Sequence, residues 1–331
     1  MLPLAHHPWS RAATHPRIEG HSIRTKLVLV CLVLILPGSV PARAGSPLPA
    51  SQPAPSEIVP GKDVPHWSGL PIWGKAEAEK LGFDLPLPIG LSATTYWQEE
   101  GFRMPQLKLA APGGPLVNAG GLVRVPHIAI AETAEMARLE AWVLPFVNLY
   151  VLAGYVSGHA DIDIQPAFFP PKGCPKFDLH LDYEGPTVGV GTTLAAGIKP
   201  FKGRPTIFFG LADLNVTETF LDFHDVVTSL EPVTVWVLNV RGGLRDRLLR
   251  TSSFGDIYIS VWGGVMWEEV QEIMTGSVSI LDLDFQGKVR ALDPWNTIVG
   301  TGLEIGKHIN LMIDVGIGER RSIMVSATIR F

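Results

Sequence analysis

Hydrophobic residues recur at every second position from about residue 85 to the last residue of the chain. The region 309–317 shows this most clearly, because Ile309, Leu311, Ile313, Val315 and Ile317 share one parity while polar or small residues and one methionine occupy the other. Successive side chains of a β-strand point to opposite faces. The pattern therefore predicts strands with one apolar face and one mixed or polar face.

Alternation and turn residues together predict twelve strands, or ten if one hairpin of the region 103–130 is absent. Each is close to the 9–11 residues that a tilted strand needs to cross a bilayer. The predicted strands are 87–98, 103–110, 121–130, 136–143, 146–157, 185–197, 204–215, 231–242, 254–266, 294–305, 308–318 and 321–331.

The connections alternate between short turns such as Leu144-Pro145 and long polar segments such as 159–186 and 268–293. Short turns at one rim and long loops at the other are typical of bacterial outer-membrane barrels. We therefore expect an all-β fold, a single transmembrane antiparallel up-and-down β-barrel. A soluble secreted β-sandwich is the alternative, since it would also bury one face of each strand.

The N-terminal region predicts export from the cytoplasm. Arg24 and Lys26 precede an apolar run of about ten residues, and Ala42-Arg43-Ala44 has the small-x-small pattern of a cleavage site. We expect residues 1–44 to be a signal peptide with an extended N-terminus, with an uncleaved anchor as the alternative. Residues 45–84 are predicted to form a Pro-rich periplasmic linker with a short helix near 74–82, and residues 85–331 the barrel.

Composition narrows the function classes. Charged residues make up 18% of the chain and the formal net charge is -5, without a Lys/Arg cluster that would follow a phosphate backbone, so we expect no nucleic-acid partner. The two cysteines, Cys31 and Cys174, form neither a disulfide framework nor metal-ligand spacing. We expect neither a metal nor a cofactor.

Aromatic residues near the predicted strand ends indicate where a membrane surface would lie. Amphipathic rings favour the boundary between lipid and water, where barrels carry two aromatic girdles. The predicted girdle consists of Trp97, Trp142, Phe146, Tyr155, Trp267 and Trp295.

The last strand resembles the C-terminal signal of Gram-negative outer-membrane β-barrels. It ends in Phe331, with Ile329 and Val325 on the same face. The stretches LPLPIGLSATTYWQEEGF and RLEAWVLPFVNLYVLAGYVSG are similar to segments of little-characterised porin-like barrels. This resemblance, from about Leu85 to Phe331, implies residence in the outer-membrane lipid and recognition of the terminal residues by the barrel-assembly machinery.

Charged residues at inward-facing parity are the candidate functional residues. They either line a lumen with a solute preference or form a paired network that fills it. The predicted lumen residues are Arg138, Glu140, Asp213, Glu304, Asp314 and Arg330.

Two further kinds of chemistry are weighed against this one. Alternating carboxylates in HADID (159–163) and LDLDF (281–285) have a spacing that can hold calcium, although an EF-hand pattern is absent and solvated loops are the default. His180 with Asp182, and His224 with Asp225, are candidate pairs for an interfacial hydrolase. Without a GxSxG motif we expect no enzyme.

The sequence thus predicts a porin-like or transporter-like barrel that passes or binds small solutes. The alternatives are a closed structural or adhesive barrel acting through its extracellular loops, and an interfacial outer-membrane hydrolase.

Overall fold

The computed structural model describes residues 69–83, 85–167, 177–201, 203–224, 227–228, 231–251, 255–270, 273–278 and 282–331. The predicted signal peptide and most of the predicted linker lie outside these residues. Among the residues described, no helix has the length and apolar character needed to cross a membrane.

Ten antiparallel strands close into a ring, as the alternating pattern predicts. Each strand pairs with the preceding and following strand of the ring, and the last strand pairs with both the strand before it and the first strand. The ring strands are β1 (Ile89–Ala110), β3 (Val123–Leu144), β4 (Val147–Pro166), β5 (Phe177–Ile198), β6 (Ile207–Thr219), β8 (Val233–Thr251), β9 (Gly255–Val270), β12 (Trp295–Ile305), β13 (Ile309–Ile317) and β14 (Arg321–Arg330).

Of the two predicted counts, twelve and ten, the ring has ten, because two predicted breaks do not exist. The predicted strands 87–98 and 103–110 are one strand, β1, and 121–130 and 136–143 are one strand, β3. Each break contains an inward glutamate, namely Glu100, which is buried, in β1 and Glu132, which faces the barrel interior, in β3. Inward polar residues look like loop residues when only hydrophobicity is followed.

The strand ends define two rims of the barrel. We call the end at which β3, β5, β8 and β12 end the turn rim, and the end at which β1, β4, β6, β9 and β13 end the loop rim. Segments predicted as loops contain strand at the loop rim, since β4 continues to Pro166 and β5 begins at Phe177.

Four short strands extend the sheet at the loop rim. The outer half of β1, from Phe102 to Ala110, leaves β14 and pairs instead with β11 (Leu283–Ala291). β11 pairs with β10 (Ile273–Val278), which pairs with β7 (Val227–Thr228), and β2 (Val117–Asn118) pairs with β1. The segment between β9 and β12 therefore provides the strand that pairs with β1 beyond the end of β14.

The strand alternation separates an apolar outer face from a mixed inner face. Leu139, Val151 and Ile313 are about half exposed on the outside, whereas Arg138 and Glu140 lie inside with their side chains largely buried. A buried apolar cluster including Phe102, Ile128, Val156 and Tyr183 lies within the barrel towards the loop rim. The core is thus inside the ring and the outer wall is hydrophobic.

The short predicted helix is present as α1 (Lys75–Lys80). Residues flanking it contact the turn rim: Ile72 N donates to Val143 O at 2.9 Å, and Lys199 Nζ donates to Gly82 O. No residue among 69–83 lines the interior cavity. The described helix therefore lies at the turn rim and not inside the barrel.

Candidate functional site: the barrel interior

One cavity of about 560 Å³ lies inside the ring. Every barrel strand except β12 contributes to its wall, and β7, β10 and β11 add residues at the loop rim. The cavity is therefore a property of ring closure, because its walls meet only once β1 and β14 are paired.

All six predicted lumen residues point into the barrel. Four of them line the cavity, and the remaining two, Glu304 and Asp314, pair with inward arginines of β8 that the sequence analysis did not select. We call the complete set the ion-pair layer; it contains Arg138, Arg241, Arg245, Arg330, Glu140, Asp213, Glu304 and Asp314.

One half of the ion-pair layer is built around Arg138. Its guanidinium lies 3.0 Å from Glu140 Oε2 and 3.6 Å from Asp213 Oδ2, and it stacks 3.5 Å from the ring centroid of Tyr150. Tyr150 OH donates to Asp213 Oδ1 at 2.8 Å, and Arg330 Nε lies 3.1 Å from Glu140 Oε1. These contacts join β3, β4, β6 and β14, including strands that are separated by one or two others in the ring.

The other half is built around Arg241 and Arg245 of β8. Arg241 Nη1 lies 2.8 Å from Asp314 Oδ2, and Trp262 Nε1 donates to Asp314 Oδ1 at 2.5 Å. Arg245 makes a two-pronged contact with Glu304 at 2.8 and 3.1 Å. Four arginines thus face four carboxylates, and the layer is electrically balanced. Balanced pairing is what makes buried charges tolerable, since an unpaired one costs several kcal/mol.

Two glycines make room for this layer. A methyl group at Gly191 would overlap the Tyr150 ring, and one at Gly300 would overlap both Trp262 and Asp314. Tyr150 and Trp262 lie flat against neighbouring strands only because those positions have no side chain. Both glycines stand in the sequence as apparent interruptions of strands, and their role is to let large inward side chains approach the backbone.

Between the ion-pair layer and the loop rim the cavity wall is mainly apolar. We call this part the apolar chamber; its wall includes Phe102, Ile128, Val156, Leu181, Val233 and Phe285. Methionines from six different strands also line the cavity. The sequence pattern shows that these methionines point inward, because each alternates with outward residues. It does not show that they line a cavity, because a methionine within a strand is ordinarily expected to be packed in a core.

A second buried charge cluster, which the sequence analysis missed, lies on the loop-rim side. Arg320, in the hairpin between β13 and β14, has no solvent exposure. Its Nη1 lies 2.7 Å from Glu268 Oε2 and 3.8 Å from Glu100 Oε2. Glu132 accepts hydrogen bonds from Gln98 Nε2 at 2.6 Å and Tyr183 OH at 2.9 Å. We call Glu100, Glu132 and Glu268 the carboxylate triad.

The sequence carried only part of the signal for this cluster. Glu100 and Glu268 sit at inward parity within strand patterns, so strict alternation would have placed them inside. Arg320 lies in the turn sequence GER, where an exposed arginine is the ordinary expectation. Only the pairing of β13 with β14 and the departure of β1 to β11 bring these groups together.

The histidines weighed as hydrolase residues lie on the loop-rim side. His180 Nδ1 is 2.6 Å from Asp161 Oδ1, and its Nε2 is 3.4 Å from Asp182 Oδ1. The hydrogen bond with Asp161 raises the pKa of His180 above its ordinary value. His224 donates its backbone N–H to Asp222 at 3.0 Å, and its predicted partner Asp225 lies outside the described residues.

Two of the alternating carboxylates weighed as calcium ligands, Asp161 and Asp284, have protein partners. Asp161 faces His180, and Asp284 accepts hydrogen bonds from Ser277 Oγ at 2.7 Å and Gly113 N at 3.1 Å, which lower its pKa. Within the residues that the structure describes, no group of three or more His, Cys, Asp or Glu side chains is arranged to hold a metal ion.

Four of the six predicted girdle residues lie on the outer face. Tyr155 and Trp295 are about half exposed, while Trp97 and Trp267 are partly covered by neighbours. Phe146 is about half exposed in the turn between β3 and β4. Trp142 instead lines the cavity, because its parity matches that of Arg138 and Glu140. It therefore cannot be part of a lipid-facing girdle.

The residues of the predicted assembly signal lie along the outer face of the last strand. Phe331 and Ile329 are exposed, and Val325 is half-buried. Phe331 N donates to Ile89 O at 2.9 Å, so the terminal residue is tied to the first barrel strand.

No protein-family model matches the chain, and no curated protein matches it in sequence. Similar solved structures include the outer membrane protein OprG from Pseudomonas aeruginosa, at 10% identity and a TM-score of 0.34, covering 75% of this chain and 98% of that one. The β domain of the Bordetella autotransporter BrkA matches at 9% identity and a TM-score of 0.36, covering 74% of this chain and 100% of that one. The toluene transporter TodX from Pseudomonas putida matches at 8% identity and a TM-score of 0.28, covering 77% and 92%.

Proposed function

We propose that the protein is an outer-membrane β-barrel that takes up small solutes through a binding cavity in its interior. The observation that carries the proposal is the cavity of about 560 Å³ enclosed by the ring and lined in part by the ion-pair layer. A barrel whose interior held only packed side chains would have no room for a solute.

The outer face supports the membrane location. Apolar side chains such as Leu91, Val190 and Ile323 are about half exposed all around the ring. An exposed apolar surface of this extent would drive association in water, whereas hydrocarbon is its natural solvent. Aromatic residues at both ends, Phe146 towards the turn rim and Trp295 towards the loop rim, suit the two membrane surfaces.

The geometry favours a solute-binding transporter over a wide diffusion pore. The arginine and carboxylate side chains of the ion-pair layer project into the lumen and pair over one or two intervening strands, which narrows the lumen. A solute entering from the loop rim meets the apolar chamber first and the charged layer afterwards. The proposal assigns no catalytic step, since both ring nitrogens of His180 face carboxylates.

Planar-bilayer conductance and solute uptake by vesicles test the proposal. Wild-type barrels should admit small solutes and conduct weakly. Two ion pairs of the layer are removed together in the variant with Arg138→Ala, Asp213→Ala, Arg241→Ala and Asp314→Ala. Its conductance should be several-fold higher, because the lumen widens. The matched control removes the turn-rim pair with Arg250→Ala and Asp256→Ala and should leave conductance unchanged.

The opposite result would favour the closed barrel that acts through its loops. That result is an absence of solute uptake in wild type together with unchanged conductance in the four-residue variant, although both proteins show the heat-modifiable gel migration of folded barrels.

A further inference from the structure

All six methionines between residues 85 and 331 line the interior cavity. They come from six different strands, β1, β3, β9, β10, β13 and β14, and all but one are only half-buried. They are Met104, Met136, Met266, Met274, Met312 and Met324. Met312 Sδ lies 3.5 Å from Arg241 Nη1, and Met266 Sδ lies 4.0 Å from Tyr96 OH. Methionines that only filled gaps in a packed core would not all be expected to face one inner surface.

The wall around these methionines is not that of a water-filled pore. The interior of a channel for polar solutes is polar, whereas Phe102, Ile128 and Val156 are among the residues facing this chamber. Leaving apolar surface in water costs roughly 25 cal/mol per Å². An apolar occupant would remove that cost for the wall and for itself.

The carboxylates of the chamber wall already have protein partners. Both oxygens of Glu132 accept hydrogen bonds, from Gln98 and Tyr183, and Glu268 is paired with Arg320. Tyr96 OH donates to Gln98 Oε1 at 3.0 Å. A charged ligand would have to compete with these partners, whereas an uncharged one would leave them intact.

The size and softness of the chamber indicate how selective it is. A dry apolar cavity of roughly 150 Å³ holds one benzene molecule. The whole interior cavity, of which the chamber is one part, has about 560 Å³, which leaves room for molecules larger than one ring. Methionine side chains are unbranched, polarizable and flexible, and they repack around different shapes. A wall with six of them favours a class of ligands over one compound.

We infer that the apolar chamber is a binding site for uncharged, apolar small molecules, of single-ring to two-ring size, that enter from the loop rim. The inference rests on the proposed function, of which it names the solute class.

Methionine-methyl NMR of the full-length folded barrel in lipid nanodiscs tests the inference directly, since the reporters are the wall itself. The probes are naphthalene, the charged aromatics benzoate and benzylammonium, and maltose. Naphthalene should give saturable ring-current shifts of several ¹³Cε-methyl signals. The two charged aromatics should need at least tenfold higher concentrations for similar shifts, and maltose should give none.

Two wall variants and one control localise the binding. Met266→Gln keeps the side-chain length but adds a polar amide, and it should weaken naphthalene binding at least threefold. Met274→Gln, in the short strand β10 outside the ring, should do the same without touching a barrel strand. Leu122→Gln replaces an exposed leucine outside the chamber and should leave the affinity unchanged, which corrects for partition into lipid.

The outcomes separate this inference from the proposed function. Binding of a charged probe as tight as that of naphthalene, or no saturable shift with naphthalene, overturns the ligand class even if vesicles still take up polar solutes. Saturable naphthalene shifts that the two glutamine variants weaken support the ligand class even if solute uptake is absent.

Discussion

Arg320 is the single cation of the buried cluster at the loop rim, and its removal has a calculable cost. The substitution Arg320→Met keeps most of the side-chain volume and deletes the charge that faces Glu268 at 2.7 Å and Glu100 at 3.8 Å. Removing one partner of a buried ion pair ordinarily destabilises a protein by about 3–5 kcal/mol.

The cost has an upper bound set by proton uptake. A buried glutamate that has lost its cation can become neutral by binding a proton. Relative to an ordinary glutamate pKa of about 4.3, this costs about 1.4 kcal/mol for each pH unit above it, or about 3.7 kcal/mol at pH 7. We therefore expect Arg320→Met to lower the free energy of unfolding by about 3–4 kcal/mol at pH 7 and by about 1 kcal/mol at pH 5.

Urea unfolding of the barrel in lipid vesicles, followed by tryptophan fluorescence at pH 5, 6 and 7, measures both the loss of unfolding free energy and its dependence on pH. Arg321→Met is the matched control, because the neighbouring arginine is exposed and its loss should cost less than about 1 kcal/mol. Adding Glu268→Gln to Arg320→Met should recover part of the loss at pH 7. The reasoning fails if Arg320→Met and Arg321→Met cost the same, or if the cost does not change with pH.

Three further predictions concern other parts of the barrel. Gly300→Ala should destabilise the barrel by at least about 2 kcal/mol in the same unfolding assay, since the added methyl group displaces Trp262 and Asp314. The control Gly263→Ala should be nearly neutral, because its methyl group meets only one atom, at 3.9 Å. Asp314→Leu should cost about 3–5 kcal/mol by leaving Arg241 unpaired, and Asp314→Leu with Arg241→Met should cost clearly less than the sum of the single changes; additive costs would show that the pair is not coupled. Because Asp161 raises the pKa of His180, the charged contact between β4 and β5 is fully present below about pH 6.5 and is lost as pH rises through the raised pKa. Histidine NMR should show a lower pKa of His180 in Asp161→Asn. An unchanged pKa would contradict the contact.

The sequence was sufficient for the architecture because strand alternation reports burial on each face separately. The inward placement of Arg138, Glu140 and Asp314 and the closure of β14 on β1 both follow from parity. In the structure Arg138 and Glu140 line the cavity, Asp314 pairs with Arg241, and β14 pairs with β1. The predicted breaks within β1 and β3 were wrong because inward polar residues, such as Glu100, resemble a loop.

The partners of the inward residues were not accessible from the sequence. Arg138 meets Asp213 across two intervening strands, and Arg320 meets Glu100 only because β1 exchanges β14 for β11 near that residue. Parity says which side of the wall a residue occupies, but register and strand tilt decide its height. Trp142 illustrates the limit, because its position near a strand end suggested lipid while its parity placed it inside.

The junction between β1 and β14 differs from every other ring contact in how far apart its residues lie along the chain. Ser92 and Thr328 are in hydrogen-bond contact at 3.0 Å although 236 positions separate them, whereas the other ring strands pair with their neighbours in chain order. Closing so long a segment carries the largest entropic cost of any pairing, and such non-local contacts slow folding. Until that junction forms, the arginines and carboxylates of the inner face belong to an open sheet that hydrocarbon would penalise. In the proposed membrane location, insertion of the chain into the bilayer and pairing of its two end strands must therefore be nearly one event.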